Sequence, residues 1–241
     1  MNPTVSAEPV FSIQRSANRF DADHGWLHAK HSFSFADYYD PANESWGALR
    51  VLNEDRIAAG QGFPPHPHRD MEIITYVFSG HLEHRDSMGN HGIVGPGGVQ
   101  FISAGTGVRH AEFNASQTEE LHLAQMWLVP GRVGAAPSYG QVDFTLADRS
   151  NGWLVVASGE KDVVAPIALT QNATMRVAKL EQAALAHAFN PERYGFLFVA
   201  HGDVVVNGES LHAGDAVRTF AIDNLAIEGT GELILWDTSA L

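Results

Sequence analysis

The chain contains no cysteine. Disulfides, thiolate metal sites and cysteine nucleophiles are therefore excluded, and the composition agrees with a reducing, cytoplasmic setting. Positive charge is also scarce: 15 Lys and Arg stand against 28 Asp and Glu, a formal charge of −13. No run of basic residues interrupts that negative field, which argues against direct contact with nucleic acid or an anionic lipid surface but leaves a basic protein partner open. The opening residues MNPTVSAEPV have neither a charged n-region nor an apolar h-region, and no segment approaches the roughly 18 uninterrupted apolar residues of a membrane span.

What the chain has is turn residues and histidine. With 23 Gly, 11 Pro and 44% hydrophobic residues over 241 positions, many short strands are expected, either as one large all-β domain or as two halves of about 110 to 120 residues. Ten of the 13 histidines fall between His24 and His122, so imidazole chemistry is expected in the first half. Period-two alternation over His24–Pro41 (HGWLHAKHSFSFADYYDP) reads as a strand, with Phe33 and Phe35 on one face and Ser32 and Ser34 on the other. Its histidines His24, His28 and His31 are read as surface or packing residues, and residues 1–18 as an arm or edge strand. Ile73–Phe78 (IITYVF) is typical of a buried strand. The irregular stretch 129–152 is taken as a crossover between the halves.

A weak internal repeat matches Tyr76–Gly80 (YVFSG) to Phe198–Gly202 (FVAHG). On its registers His66 and His68 fall against Ala188 and Asn190, and His110 and Glu112 against Ile227 and Gly229. The Ala-rich segment 180–189, helical by propensity, is assigned an extended conformation because it stands where the first copy enters its histidine strand.

The chemistry is expected from two stretches, Gly60–Glu72 (GQGFPPHPHRDME) and Gly105–Asn114 (GTGVRHAEFN). Residues at i and i+2 of a strand share a face, so His66 with His68 and His110 with Glu112 can converge on one ion. Three imidazoles and a carboxylate suit a single divalent transition metal such as Fe(II), Mn(II), Ni(II), Cu(II) or Zn(II). Prolines 64, 65 and 67 make the first stretch an edge or strand-entry segment. Glu72 is an alternative carboxylate, since on an unbroken strand its parity matches His66; failing that it is a supporting group or a partner of Arg69 or Arg85. His84 and Asp86 share a face and are read as paired in solvent. His122 and Gln125 lie on opposite faces, each with a core or surface role.

These motifs resemble the cupin superfamily. Gly60, His66, His68, Glu72 and Gly80 follow its first motif with the last Gly one position late, and Gly107, His110 and Asn114 follow the end of its second. More narrowly, HGWLHAKHSFSFADYYDP, GFPPHPHRDMEIITYVFSG, HRDSMGN and SAGTGVRHAEFN are similar to the pirin family of bicupins, over about residues 19–139 and more faintly beyond. The resemblance implies two tandem double-stranded β-helix barrels: a metal-binding one over 1–140 and a degenerate one over 141–241 without the ligands. It implies His66, His68, His110 and Glu112 as metal ligands, and quercetin 2,3-dioxygenase activity with Fe(II) as the foremost ion. In that reaction a flavonol and O2 are the substrates, Glu112 is the catalytic base, and Phe33, Phe35, Phe63 and Trp127 are candidates to line the pocket. The same resemblance implies a rival, a metal-dependent regulatory protein that meets a protein partner. A different cupin enzyme, such as an isomerase or decarboxylase, would use the same four ligands.

Overall fold

The computed structural model describes residues 8–190 and 192–241. The part of the expected N-terminal arm at residues 1–7 lies outside them. The chain is all-β and forms two halves. In the first half a seven-stranded sheet faces a four-stranded one; the second is built on an eight-stranded sheet. Edge strand Val10–Gln14 pairs with Ala216–Phe220, so the N-terminal segment adds to the sheet of the C-terminal half. Among the described residues no helix is long and apolar enough to cross a membrane.

Strand Glu72–Ser79 shows why alternation is invisible in its sequence. Its residues 72–78 are all buried, because each face of the seven-stranded sheet meets a core. Ile74, Tyr76 and Phe78 pack outward with Ala124 and Met126 against Met175, Phe196, Phe198 and Trp236 of the C-terminal half. Ile73 and Val77 turn inward and pack inside the first barrel. One sheet therefore serves as a barrel wall and as the interface between halves, where the Trp236 indole N–H also donates to Met126 Sδ at 3.2 Å.

The C-terminal half is dominated by three long strands, Ala173–Ala188, Tyr194–Val206 and Asn224–Thr238. The first two bend where their register slips against the third, between Leu180 and Ala183 in the first and between Val199 and His201 in the second. At Gly202 (φ +82°) an added Cβ would lie 2.2 Å from the Thr230 carbonyl oxygen, so the close approach at the bend requires glycine. Residues 180–188 are extended, as the repeat required, and pairing to Asn224–Thr238 overrides the helix propensity of their alanines. The register corrects the repeat in detail. Ile227 stands opposite Leu185 and Leu225 opposite His187, so if Ile227 occupies the place of His110, Leu185 rather than Ala188 occupies that of His66.

Two sequence expectations fail here for local reasons. The strand from Leu27 ends at His31, and the chain then bends, which sends Phe33 into the core between the halves, 5.4 Å from the Phe196 ring, and not to a pocket. The parity argument for Glu72 fails because the chain leaves the strand at residues 69–71, where Asp70 takes φ +46°. Glu72 begins a new strand with its carboxylate on the outward face. It pairs with neither Arg69 nor Arg85 but accepts the amide N–H groups of Thr170 at 2.6 Å and Gln171 at 3.2 Å from the C-terminal half.

Glu72→Ala leaves the Thr170 amide and the buried Gln171 amide without this acceptor. It should cost about 2 kcal/mol or more, a fall in Tm of about 4–8 °C, with metal content unchanged. Loss of metal at an unaltered Tm would instead return Glu72 to the ligand set.

Candidate metal centre

Edge strand Gly62–His68 pairs antiparallel with Val108–Asn114, setting His66 opposite His110 and His68 opposite Val108. Directly opposed residues share a face, so His66, His68 and His110 point together into the barrel. Their ring centroids are 4.4 to 4.8 Å apart, and one nitrogen from each lies within 4.8 Å of the others. The register slips between His110 and Glu112, at the segment holding Pro64 and Pro65, so Glu112 stands opposite Phe63. Gly62 allows that approach, since a Cβ there would fall 2.2 Å from the Glu112 carbonyl oxygen.

The donor set fits a divalent transition metal. Both ring nitrogens of His110 are buried with no hydrogen-bond partner among the described residues, an arrangement that costs free energy unless something else binds them. His66 Nδ1 lies 2.8 Å from the Pro64 carbonyl oxygen, which as its acceptor fixes the proton there and leaves Nε2 free to ligate. Burial, reinforced by His110 and His66, holds the His68 imidazole down to about 4; burial, reinforced by His66 and His84, holds His110 down to about 3. Both are neutral near pH 7, the form a metal requires.

Glu112 sits beside the triad, its Oε1 4.0 Å from His110 Nδ1. Gln100 Nε2 donates to Oε1 at 2.5 Å and Gln125 Nε2 to Oε2 at 2.9 Å, while the Trp127 indole N–H donates to Gln125 Oε1 at 3.1 Å. The glutamines belong to a row that crosses the seven-stranded sheet. His31 stands opposite Asn53, Asn53 opposite Gln125, Gln125 opposite Thr75, and Thr75 opposite Gln100. Five adjacent strands thus place polar side chains at one level of the wall. His122, on the opposite face from Gln125, turns toward the interface between halves and pairs with Glu54 at 3.0 Å.

His84 and Asp86 are not in solvent. Strand Leu82–Asp86 pairs with Val108–Asn114 on its other side, His84 opposite Glu112 and Asp86 opposite His110, and both side chains are fully buried. Asp86 accepts the N–H groups of Met88 and Asn90, each at 2.9 Å, and so closes the SMGN turn while facing the site. His84 stacks on Tyr139 at 4.3 Å and joins His110 and Glu112 in a second donor group of metal-binding spacing.

Between the two sheets lies a cavity of about 160 Å³, lined by His66, His68, Glu112, Gln125 and Trp127, with Phe35, Phe63 and Leu27 as apolar walls and His31, Asn53 and Asp55 on the far side. Phe35, Phe63 and Trp127 thus meet the pocket expectation that Phe33 does not. His31 is buried and lines the cavity, whereas His24 and His28 are exposed, His28 pairing with Asp21 at 2.6 Å. The signal for His31 was its separation by two from Ala29 and by four from Leu27, which share its inward face.

Burial, and then the charge of Glu112, pushes the Asp55 carboxyl up from its ordinary 3.8 to about 7. The native state then holds an extra proton between about pH 4 and 7, so Asp55's contribution to stability is full below about pH 4 and is lost as pH rises through about 7. For the metal-free protein, Asp55→Asn should raise Tm by about 3 °C or more at pH 8, and the gain should vanish toward pH 4. A gain independent of pH would contradict this assignment.

The chain is similar to known proteins over nearly its full length. A family model described as Pirin matches residues 11–128, and one described as Quercetinase C-terminal cupin domain matches residues 161–235. The chain is 45% identical over 221 residues to a pirin-like protein of Caulobacter vibrioides, covering 90% of this chain and 95% of that one. It is 40% identical over 228 residues to a quercetin 2,3-dioxygenase of Escherichia coli K12, covering 93% and 97%. The crystal structure of the bacterial pirin YhhW in complex with nickel(II), also from Escherichia coli, superposes with a TM-score of 0.89 at 37% identity, covering 96% of this chain and 100% of that one. Sequence and fold agree over both halves, and the chain belongs to the pirin family.

Proposed function

We propose that this protein is a metal-dependent dioxygenase of the quercetin 2,3-dioxygenase type. The convergence of three imidazoles beside a glutamine-held carboxylate, at the end of a largely apolar cavity, carries this reading. The names of its relatives and the nickel(II) bound by YhhW support it. In this reading His66, His68, His110 and Glu112 hold one divalent ion, for which nickel is as compatible as the Fe(II) expected from the family resemblance. The chemistry belongs to residues 1–140, and residues 141–241 brace the wall behind them.

When bound, the ion would supply a Lewis-acidic contact for the substrate oxygen and access for O2. The residues do the rest. Phe35, Phe63 and Trp127 flank an aromatic ring and keep water from it. Glu112 accepts the proton of the substrate hydroxyl at Oε2, where the Gln125 amide 2.9 Å away fixes its direction. Gln100 holds the other oxygen, so the carboxylate cannot rotate away from the triad. The flavonol takes up both atoms of O2, its central ring opens, and one carbon leaves with its oxygen as carbon monoxide.

Protein purified anaerobically and loaded with one equivalent of metal should consume quercetin and O2 and release carbon monoxide in equal amounts. His66→Ala should lose the metal. Glu112→Gln should reduce turnover at least about 100-fold at full metal occupancy, the scale of a lost general base. Metal-loaded wild type that turns over no flavonol would sink the dioxygenase reading and favour the regulatory, partner-binding one.

A further inference from the structure

One wall of the cavity faces the triad without belonging to it. Strand Leu49–Ile57 turns Asn53 and Asp55 inward, and strand Leu27–His31 sets His31 opposite Asn53 and Ala29 opposite Asp55. His31 and Asn53 satisfy one another, with 2.8 Å between Nδ1 and Oδ1. Asp55 is not satisfied. It is 5% exposed, it lines the cavity, and its buried Oδ1 has no hydrogen-bond partner among the described residues. Its cross-strand neighbours are Ala29 and Leu123, neither of which carries a side-chain donor that could complete it.

A buried acceptor without a donor costs free energy, and the cost is recovered when a ligand brings the donor. The cavity, about 160 Å³, is close to the roughly 150 Å³ engineered cavities that hold one benzene ring. It therefore admits one ring in its closed part, and the remainder of a larger substrate lies toward its mouth. In its lining His31, Asn53 and Asp55 come from the seven-stranded sheet and His66, His68 and Glu112 from the four-stranded one, with Phe35, Phe63 and Trp127 as apolar surface.

We propose that Asp55 is a specificity-determining residue: the closed part of the cavity takes one aromatic ring carrying two oxygens, one directed at the His66, His68 and His110 face and the other a hydroxyl that donates to Asp55 Oδ1. Within the proposed flavonol class, a ring with a single hydroxyl is then discriminated against. This rests on the proposed placement of the ion but not on dioxygenase turnover. Discrimination of this kind is expected because a site with a buried acceptor rejects the analogue that lacks the matching donor.

Calorimetric titration of the nickel(II)-loaded protein, without O2, with resorcinol, hydroquinone, phenol and the monomethyl ethers of both diols tests it. At least one diol should bind about tenfold tighter than phenol, the scale of one hydrogen bond to a buried carboxyl, and its ether, which cannot donate from that position, should bind as phenol does. Asp55→Ala should abolish the preference with metal content unchanged, and Asp55→Asn, which keeps an acceptor oxygen, should retain most of it. Equal binding of diols and phenol by wild type overturns the proposal without any variant, as does a preference that survives in Asp55→Ala. A preference that depends on Asp55 in a protein that never turns over quercetin would sink the dioxygenase reading alone. Turnover with no such preference would sink the subsite alone.

Discussion

Burying three imidazoles and a carboxylate inside a barrel is costly unless every polar atom among them is matched, and this cost organises the N-terminal half. The four-stranded sheet supplies the donors on its inner face: His66 and His68 from one strand, His110 and Glu112 from the next, and His84 with Asp86 from the third. The seven-stranded sheet answers from across the cavity with Gln100 and Gln125, which take both oxygens of Glu112. Some buried polar atoms stay unmatched, and two of these residues bear on the site: His110 keeps both ring nitrogens free beside His66 and His68, and Asp55, which lines the cavity, keeps one oxygen free.

The second half contributes rigidity at a distance. The wall that carries Gln125 and Thr75 on its inner side carries Ala124, Met126, Ile74 and Tyr76 on its outer side, packed against Phe196, Phe198 and Trp236. Glu72 fastens the start of one wall strand to the amides of Thr170 and Gln171. Buried Glu232 receives both the Tyr76 hydroxyl at 2.5 Å and Arg149 Nη1 at 2.6 Å, a further tie between the halves. Side chains anchored to a sheet packed on both faces have little freedom to shift, which is the condition for holding a carboxylate in one orientation.

The two alternating pairs and the edge prolines were legible in the sequence because they depend only on the period of a strand and on the missing N–H of proline. The break before Glu72 was not, because it rests on Asp70 taking a positive φ that its residue type permits but does not require. His84 and Asp86 were placed on one face correctly and on the wrong side of it, since parity says which residues share a face and not which face is inside. Gln100, Gln125, Asn53 and His31 come from four separate strands. Their alignment at one level exists only in the register of the closed barrel, and no spacing along the chain encodes it.

The most direct test of the account is a crystal structure of the protein loaded with nickel(II). It should show one ion in the N-terminal barrel, bound by ring nitrogens of His66, His68 and His110 and by a carboxylate oxygen of Glu112, with Gln125 still donating to that carboxylate. An ion bound by Glu72, or bound with Glu112 turned away from the three histidines, would contradict it.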